Sequence, residues 1–369
     1  MLGCYIERSR NLELTLAVYT EYDITDHSAL ALVLSTCHRW KDVALVAPSE
    51  TIRTLSFCKG SFRNLRYLHI GFNDADEYIF SLDPLLDAFE YSPKLTHIAF
   101  SHVGDPLQIF SLPWSQITAY DGPDSPDDEH IIETPHLHVL TKMPLLESAR
   151  LYCDKHSTIP ASGRVHLPRL QNLTLEEGSD TPTPRPKCDY HLLSTPMGID
   201  ARRITTLQLT FYFKLSSTII HSILIFLADL PTVIHLMIQA EGVTDTVIDG
   251  LARRRDNQDI LPSLRCLDFR GSTLELDEPT YFIAMLESRL PPSPTDVMTN
   301  SVTSAGEHLR ELRLDERPAI DEADLQRWDD LSQGGLVVRY GAEGLGDSYD
   351  HIASRGREDQ LFRGMPWIP

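Results

Sequence analysis

Fifteen histidines and six cysteines are the side chains with the widest chemical range. His136-Leu137-His138 puts two imidazoles two positions apart, with Asp127, Asp128, Glu129 and His130 just upstream. On a strand both rings would point to one side, and the carboxylates would add oxygen ligands for a divalent metal. The same residues also read as an acidic, solvated loop followed by unrelated histidines. His-x-His lacks the fixed ligand spacings of zinc sites, so the expectation is no metal and no cofactor. Cys37 and His38 are adjacent, which does not bring them face to face on a helix. Cys37 lies at helical spacing from Leu30, Leu34 and Trp40 and reads as core. Arg253-Arg254-Arg255 could bind phosphate, but at a helix end it more simply complements the dipole. The chain has no G-x-x-x-x-G-K-[ST], no H-E-x-x-H and no G-x-S-x-G. Gly341, Gly344 and Gly346 have the wrong spacing for a dinucleotide loop. No catalytic residues are expected, and the chain reads as a non-enzyme.

Charge narrows the partners. Against 33 basic residues stand 53 acidic ones, for a net charge of −20. A phosphate backbone or an anionic membrane would repel such a surface. No cysteine pair forms C-x-x-C, which points to free thiols in a reducing compartment. Met1–Thr20 lacks an apolar run after a basic start, so no signal peptide is expected. The most apolar stretch, Ile219–Leu230, carries His221 and Asp229 and is ended by Pro231. It is shorter than the roughly 20 apolar residues of a bilayer span. The expectation is a soluble intracellular protein, cytoplasmic or nuclear. With 369 residues, it is two or three modules or one elongated repeat domain.

Positioning elements recur along the chain. The pattern is apolar, two variable, apolar, one variable, apolar. It occurs at Leu65–Ile70, Leu95–Phe100, Leu146–Leu151, Leu170–Leu175, Ile204–Leu209, Val233–Ile238, Leu264–Phe269 and Leu309–Leu314. A weaker copy is assigned to Trp114–Tyr120, centred on Ile117. The copies recur about every 30 residues with scatter, as in a solenoid of irregular repeats. Alternation within each copy marks a short strand, and the interval leaves room for a helix. Asp83-Pro84 predicts a helix burying Leu85, Leu86 and Phe89 and closing at Pro93. Ser216 or Ser217 caps one burying Ile220, Ile223, Leu224 and Leu227. Thr244 caps one with Val247, Ile248 and Leu251, and Pro279 opens one with Phe282, Met285 and Leu286. A further helix is predicted to bury Trp40 with Leu30, Val33 and Cys37. Parallel strands need crossovers of this length. The predicted class is α/β, an irregular leucine-rich-repeat-like solenoid with parallel strands on the concave side and helices on the convex side. Asp121–Pro135, Glu177–Asp189 and Pro291–Gly306 read as inserted loops. Residues 1–50 are assigned to an N-terminal strand and capping helix, 51–340 to the solenoid and 341–369 to a tail.

Two blocks carry a resemblance. Glu7-Arg8-Ser9 followed by Leu12, Leu14 and Leu16 resembles the stretch after the F-box in fungal F-box proteins, with Glu13 where proline is usual. His38-Arg39-Trp40-Lys41-Asp42 resembles that family's H-x-R-W-K-D helix. The leucine-rich strands that follow are similar to its substrate-recognition part. The resemblance spans roughly residues 4 to 340. It implies a non-catalytic substrate-binding subunit of a cullin ubiquitin ligase. The F-box itself would lie upstream of Tyr5, where four residues stand. A Skp-type adaptor is therefore expected only if an upstream F-box exists; otherwise the chain is a stand-alone scaffold. Regular leucine-rich repeats place an asparagine three residues after the last strand leucine. Asn73 alone fits, with Cys153 as a substitute.

The recognition surface is expected at the non-core strand positions, since adjacent side chains of a strand face opposite ways. Those chosen as partner-binding are Tyr67, His69, His97, Arg150, Tyr152, Gln208, His235, Gln239, Asp268, Arg270 and Arg313. Their mixture of aromatic, imidazole and guanidinium groups suits a protein partner. Leu68, Ile98, Leu207 and Leu267 are expected to be core, whereas His69, Ala99, Gln208 and Asp268, and the pairs His69 with Tyr67 and Asp268 with Arg270, are expected to be dispensable for folding.

Overall fold

The computed structural model describes residues 2–73, 85–122, 135–153, 166–177, 203–253, 259–291 and 308–341. These form two compact units: residues 2–152 with Leu167–Arg169, and residues 170–341 with Cys153 and His166. The three predicted inserted loops and the tail lie outside the described residues except at their ends.

The first unit runs α1 (Leu2–Ser9), β1 (Leu14–Tyr19), α2 (Ser28–Leu34), β2 (Trp40–Ala47), α3 (Ser49–Arg53), β3 (Tyr67–Phe72), β4 (His97–Ser101), α4 (Pro106–Ile109), β5 (Ala119–Asp121), α5 (Pro135–Leu140) and β6 (Ser148–Cys153). The strands are parallel, and each pairs with the next in chain order. Leu16, Val43, Leu68, Ile98, Tyr120 and Ala149 align as one row across them, and all but Leu16 are buried. The apolar residue opening each repeat sits in the turn before its strand, as Leu65, Leu95 and Leu146 do, all fully buried. The ladder starts one residue ahead of the strand: the Arg66 amide donates to the Lys41 carbonyl at 2.7 Å. Aromatic rings fill the space beneath, with Trp40 5.4 Å from Phe62 and Phe62 4.7 Å from Phe89.

The second unit runs β7 (Asn172–Glu177), β8 (Thr206–Lys214), α6 (Ser217–Ala228), β9 (His235–Glu241), β10 (Val243–Thr244), α7 (Asp245–Leu251), β11 (Cys266–Asp268), β12 (Leu274–Glu275), α8 (Pro279–Arg289), β13 (Glu311–Leu314), α9 (Glu322–Gln333) and β14 (Val337–Tyr340). Strands β7, β8, β9, β11, β13 and β14 are parallel neighbours in that order, and β10 pairs separately with β12. Leu173, Leu207, Leu236, Leu267 and Leu312 form the buried row. Helices cover that side: Phe269, of the same parity as Leu267, has its ring 6.2 Å from Phe282 of α8, which in turn meets Trp328 of α9. The α6 cap is Ser216, whose Oγ accepts from the Ile219 amide at 3.4 Å. Pro279 opens α8 as its composition predicts, because its missing N–H falls where no intrahelical partner exists. Thr244 holds the cap position of α7, yet its side chain makes no capping bond.

Several expectations are corrected. Trp40 is buried, but as the first residue of strand β2. Trp40, Val43 and Leu45 repeat the 1-4-6 pattern, and pairing of β2 with β1, through a register shift just after Trp40, and with β3 from Asp42 onward outweighs the helical spacing to Leu30. The H-R-W-K-D block is thus a 3-10 turn (Cys37–Arg39) running into a strand. No helix forms over Leu85–Pro93: Leu86 makes a parallel bridge to Phe110, and its amide donates to the Ile109 carbonyl at 2.8 Å. That pairing buries both Leu86 and Phe89. In the weak copy, Tyr120 aligns with Ile98 and Ala149, so the repeat is centred three residues later than Ile117. Strand β14 and helix α9 had no sequence assignment. The α9 cap was legible, since the Asp321 carboxylate accepts from the Asp324 amide at 2.9 Å.

The two blocks that carry the family resemblance meet. The buried Arg39 guanidinium donates to Ser9 Oγ at 2.5 Å, to the Leu12 carbonyl at 3.0 Å and to the Ile6 carbonyl at 3.5 Å. It thereby ties α1 and the entry to β1 onto β2. Asn73, the one residue at the repeat asparagine position, donates its side-chain amide to the Thr20 carbonyl. Among the described residues, no helix is long and apolar enough to cross a membrane.

Candidate recognition surface

The strand face opposite the leucine row carries the polar side chains, and its register follows from the ladders. In the first unit, Asp42, Tyr67, His97, Ala119 and Ser148 form one row. Ala44, His69, Ala99, Asp121 and Arg150 form the next. The Tyr67 and His97 rings lie 6.2 Å apart, and His69 Nε2 is 2.7 Å from Ser101 Oγ. Strands β3 and β4 approach closely at Gly71, where a Cβ would lie 2.9 Å from both Cβ and the carbonyl oxygen of Ser101. Any larger residue there would push the ladder apart.

In the second unit, one row is Asn172, Thr206, His235, Cys266, Glu311 and Val337. The next is Thr174, Gln208, Met237, Asp268, Arg313 and Arg339. Gln239 Oε1 accepts from Gln208 Nε2 at 3.3 Å and from Thr210 Oγ1 at 3.1 Å. Beside this amide cluster lies an ion ladder. The Arg270 guanidinium donates to both Asp268 oxygens, at 3.0 and 2.7 Å through Nε and Nη2. Arg313 sits 3.7 Å from Asp268 and donates to Glu311 at 2.9 Å, and Arg339 reaches Glu311 at 2.8 Å. Burial pushes the Glu311 carboxyl up, but the Arg313 hydrogen bond and the Arg313 and Arg339 charges bring it below its ordinary value. Burial, chiefly, pushes the Cys266 thiol up to about 12, with the Glu311 and Asp268 charges adding to it and the Arg313 and Arg270 charges opposing it.

The predicted residues divide sharply by burial. Gln208, His235, Gln239 and His97 are half-buried, and Arg313 keeps a small exposed edge. Tyr67, His69, Arg150, Asp268 and Arg270 are buried, which corrects the expectation that this face is uniformly open. The reason is ion pairing and close strand packing. Asp268, 1% exposed, is held between two arginines, and removing it would strand their charges away from water. Asp268 and Arg270 are therefore not expected to be replaceable without loss of stability, contrary to the sequence expectation. The Tyr152 side chain lies outside the described residues. Asp42, Ser101, Thr210, Glu311 and Arg339 belong to the face and were missed. Glu311 flanks core Leu312 just as Arg313 does, so strict alternation was the available signal. The His136-Leu137-His138 segment lies in helix α5, not on the strand that the metal reading requires.

Burial holds the His235 imidazole below its ordinary value of 6.5, and the Arg313 charge adds to this. Folding therefore favours the neutral ring. The unfolded chain takes up a proton near 6.5 while the folded chain resists, so this contribution is complete above 6.5 and is lost as pH falls toward the folded value. Denaturation midpoints measured from about pH 7 down to about pH 5 should fall less steeply in His235→Gln than in wild type. Identical slopes would show that His235 titrates as in the unfolded chain.

The chain matches no protein-family model and no curated protein sequence at a significant level.

Proposed function

We propose that the chain is a non-catalytic protein-recognition module whose strands and helices build an irregular leucine-rich-repeat-like solenoid, strands concave and helices convex. The observation that carries this reading is the polar strand face opposite the helices. There, half-buried Gln208, Thr206, His235 and Gln239 adjoin the Glu311–Arg313–Arg339 ladder. Amide and guanidinium groups presented from adjacent strands are held rigidly by the ladder, which lowers the entropy lost on binding. The −20 charge favours a protein partner over a nucleic acid or an anionic membrane.

The Arg8-Ser9 and His38–Asp42 blocks support a narrower version. In it, the chain is the substrate-binding part of an F-box subunit of a cullin ubiquitin ligase, working in the cytoplasm or nucleus. A segment upstream would then dock a Skp-type adaptor. Affinity purification with mass spectrometry of this chain and of an upstream-extended version tests that link. The adaptor should accompany the extended version only. If neither version brings the adaptor, the ligase link fails, and a stand-alone leucine-rich scaffold is the better reading.

A further inference from the structure

The amide cluster on the polar face of the second unit is bonded to itself but not saturated. Gln208 Nε2 donates to Thr210 Oγ1 and to Gln239 Oε1, both at 3.3 Å. Thr210 Oγ1 donates to the same Gln239 oxygen at 3.1 Å. These bonds use the Gln208 nitrogen and the Gln239 oxygen. Gln208 Oε1 and Gln239 Nε2 are left without a partner among the described residues. Neither atom is buried, so one acceptor and one donor face solvent from adjacent strands. Buried Thr210 fixes the two amides from beneath. Gly271 keeps room for the donor, since a Cβ there would lie 3.0 Å from Gln239 Nε2. At the far end of the face stands Arg339, 64% exposed, with its Nε 2.8 Å from Glu311 Oε1. Its Nη groups donate to nothing else among the described residues. With Arg270 and Arg313 it sets three guanidiniums against the carboxylates of Asp268 and Glu311, a local positive excess in a chain of net charge −20.

We propose that this face takes an extended, acidic peptide segment laid across the strands. One backbone N–H of the segment donates to Gln208 Oε1, one backbone carbonyl accepts from Gln239 Nε2, and a carboxylate side chain meets Arg339. The inference rests on the protein-recognition reading above and names its class of ligand. A free acceptor beside a free donor is the complement of a peptide backbone, which offers N–H and C=O groups along each edge when extended. A nucleobase offers the same pair of groups, but its phosphates would meet the repulsion of the −20 charge. Gln208, Met237, Asp268, Arg313 and Arg339 form one row, so the amides and Arg339 are four strand intervals apart. At about 4.8 Å per interval that is roughly 19 Å, the length of about six extended residues. The acidic residue therefore lies about six positions from the clamped backbone. The amides accept any side chain, and Arg339 supplies the selectivity. Because Thr210 holds the amides in place beforehand, binding freezes little side-chain freedom.

The test pans a library of random peptides, each about 12 residues or twice the required span, on the full chain. Enriched peptides should share an Asp or Glu. In a synthetic copy of one binder, N-methylation at a single backbone nitrogen should weaken binding at least about ten-fold. In Gln208→Ala the same N-methylation should cost nothing further, which separates the lost hydrogen bond from any change in peptide conformation. Arg339→Glu should weaken the binder at least about ten-fold, and replacing the peptide's acidic residue with Lys should restore it. The N-methyl scan is read on wild type, so poor folding of a variant does not protect the proposal. It is overturned if no peptide enriches or if N-methylation is neutral at every position. It is equally overturned if N-methylation costs as much in Gln208→Ala, if an Asn or Gln side chain of the peptide carries the dependence on Gln208, or if the Lys peptide fails to rescue Arg339→Glu. Peptides that bind but are indifferent to these changes would sink this inference and leave the protein-recognition reading standing. That reading fails separately, if whole-protein partners are captured undiminished by variants of this face.

Discussion

Replacing Trp40 with alanine should lower the unfolding free energy by about 3–5 kcal/mol, the range for a fully buried large aromatic. Trp40 is 0% exposed and opens β2, in register with Leu14 of β1. Its ring contacts Phe62, which continues to Phe89, so a void there would loosen the packing under several successive strands. Its Nε1 donates to Thr36 Oγ1 at 3.1 Å, and that hydroxyl donates to the Val33 carbonyl at 2.6 Å. The indole therefore anchors the end of α2 as well as filling space. Trp40→Phe keeps most of the volume and loses the hydrogen bond, so its cost should be smaller, about 1–2 kcal/mol. Urea denaturation followed by far-UV circular dichroism measures both. A loss below about 1 kcal/mol for the alanine variant would place Trp40 at the periphery of the fold.

Arg289→Met should cost about 3 kcal/mol, although it removes a buried charge. Arg289 ends α8 with its side chain 2% exposed, and its guanidinium donates to three backbone carbonyls. These are Leu251 at 2.5 Å, Leu261 at 3.0 Å and Ile260 at 2.6 Å. Leu251 is the last residue of α7, so one of the three bonds satisfies a carbonyl the helix leaves open. The others hold the chain entering β11. Burial makes the charge expensive and brings the Arg289 pKa down to about 10. Methionine relieves that cost and preserves the stem but removes all three donated bonds, and of the three carbonyls only Leu261 keeps another donor, the Leu264 amide at 3.1 Å. Lysine offers one point of donation where a planar fork spans three, so Arg289→Lys should recover less than half of the loss. If Arg289→Met proves neutral or stabilising in the same urea experiment, the charge was a burden and the carbonyl bonds are not what holds this connection.

Much of the fold was legible because the 1-4-6 apolar pattern encodes two facts at once. The fourth and sixth positions are strand residues facing the helices, and the first is the turn residue buried beneath them. All eight main copies can be followed directly through the register, and the central residues Leu68, Ile98, Leu207 and Leu267 are buried as expected. What failed was arbitration between periods. Trp40 satisfies a helical spacing to Cys37 and a strand spacing to Val43, and only pairing with Leu14 decides between them. Leu86 lost its helix to a ladder partner, Phe110, that lies far along the chain. The polar face was legible as a parity but not as an exposure. Alternation places Asp268 and Arg313 on the same side as Gln208. Nothing in the local pattern says that Arg270 folds back onto Asp268 and buries it, because that contact depends on the chain turning after β11 at Gly271, with φ of 78°.

The central claim is that recognition belongs to the polar strand face of the second unit, and substitution there tests it most directly. Gln208→Ala with Gln239→Ala removes the amide cluster, and Arg339→Glu reverses the charge at the exposed end of the ion ladder, where the side chain is 64% exposed. Tyr281→Ala, an exposed position on helix α8, is the control. Partners captured by wild type should be bound at least about ten-fold more weakly by both face variants, with urea midpoints nearly unchanged, and equally well by the control. Undiminished capture by the face variants, or equal loss with Tyr281→Ala, would contradict the account.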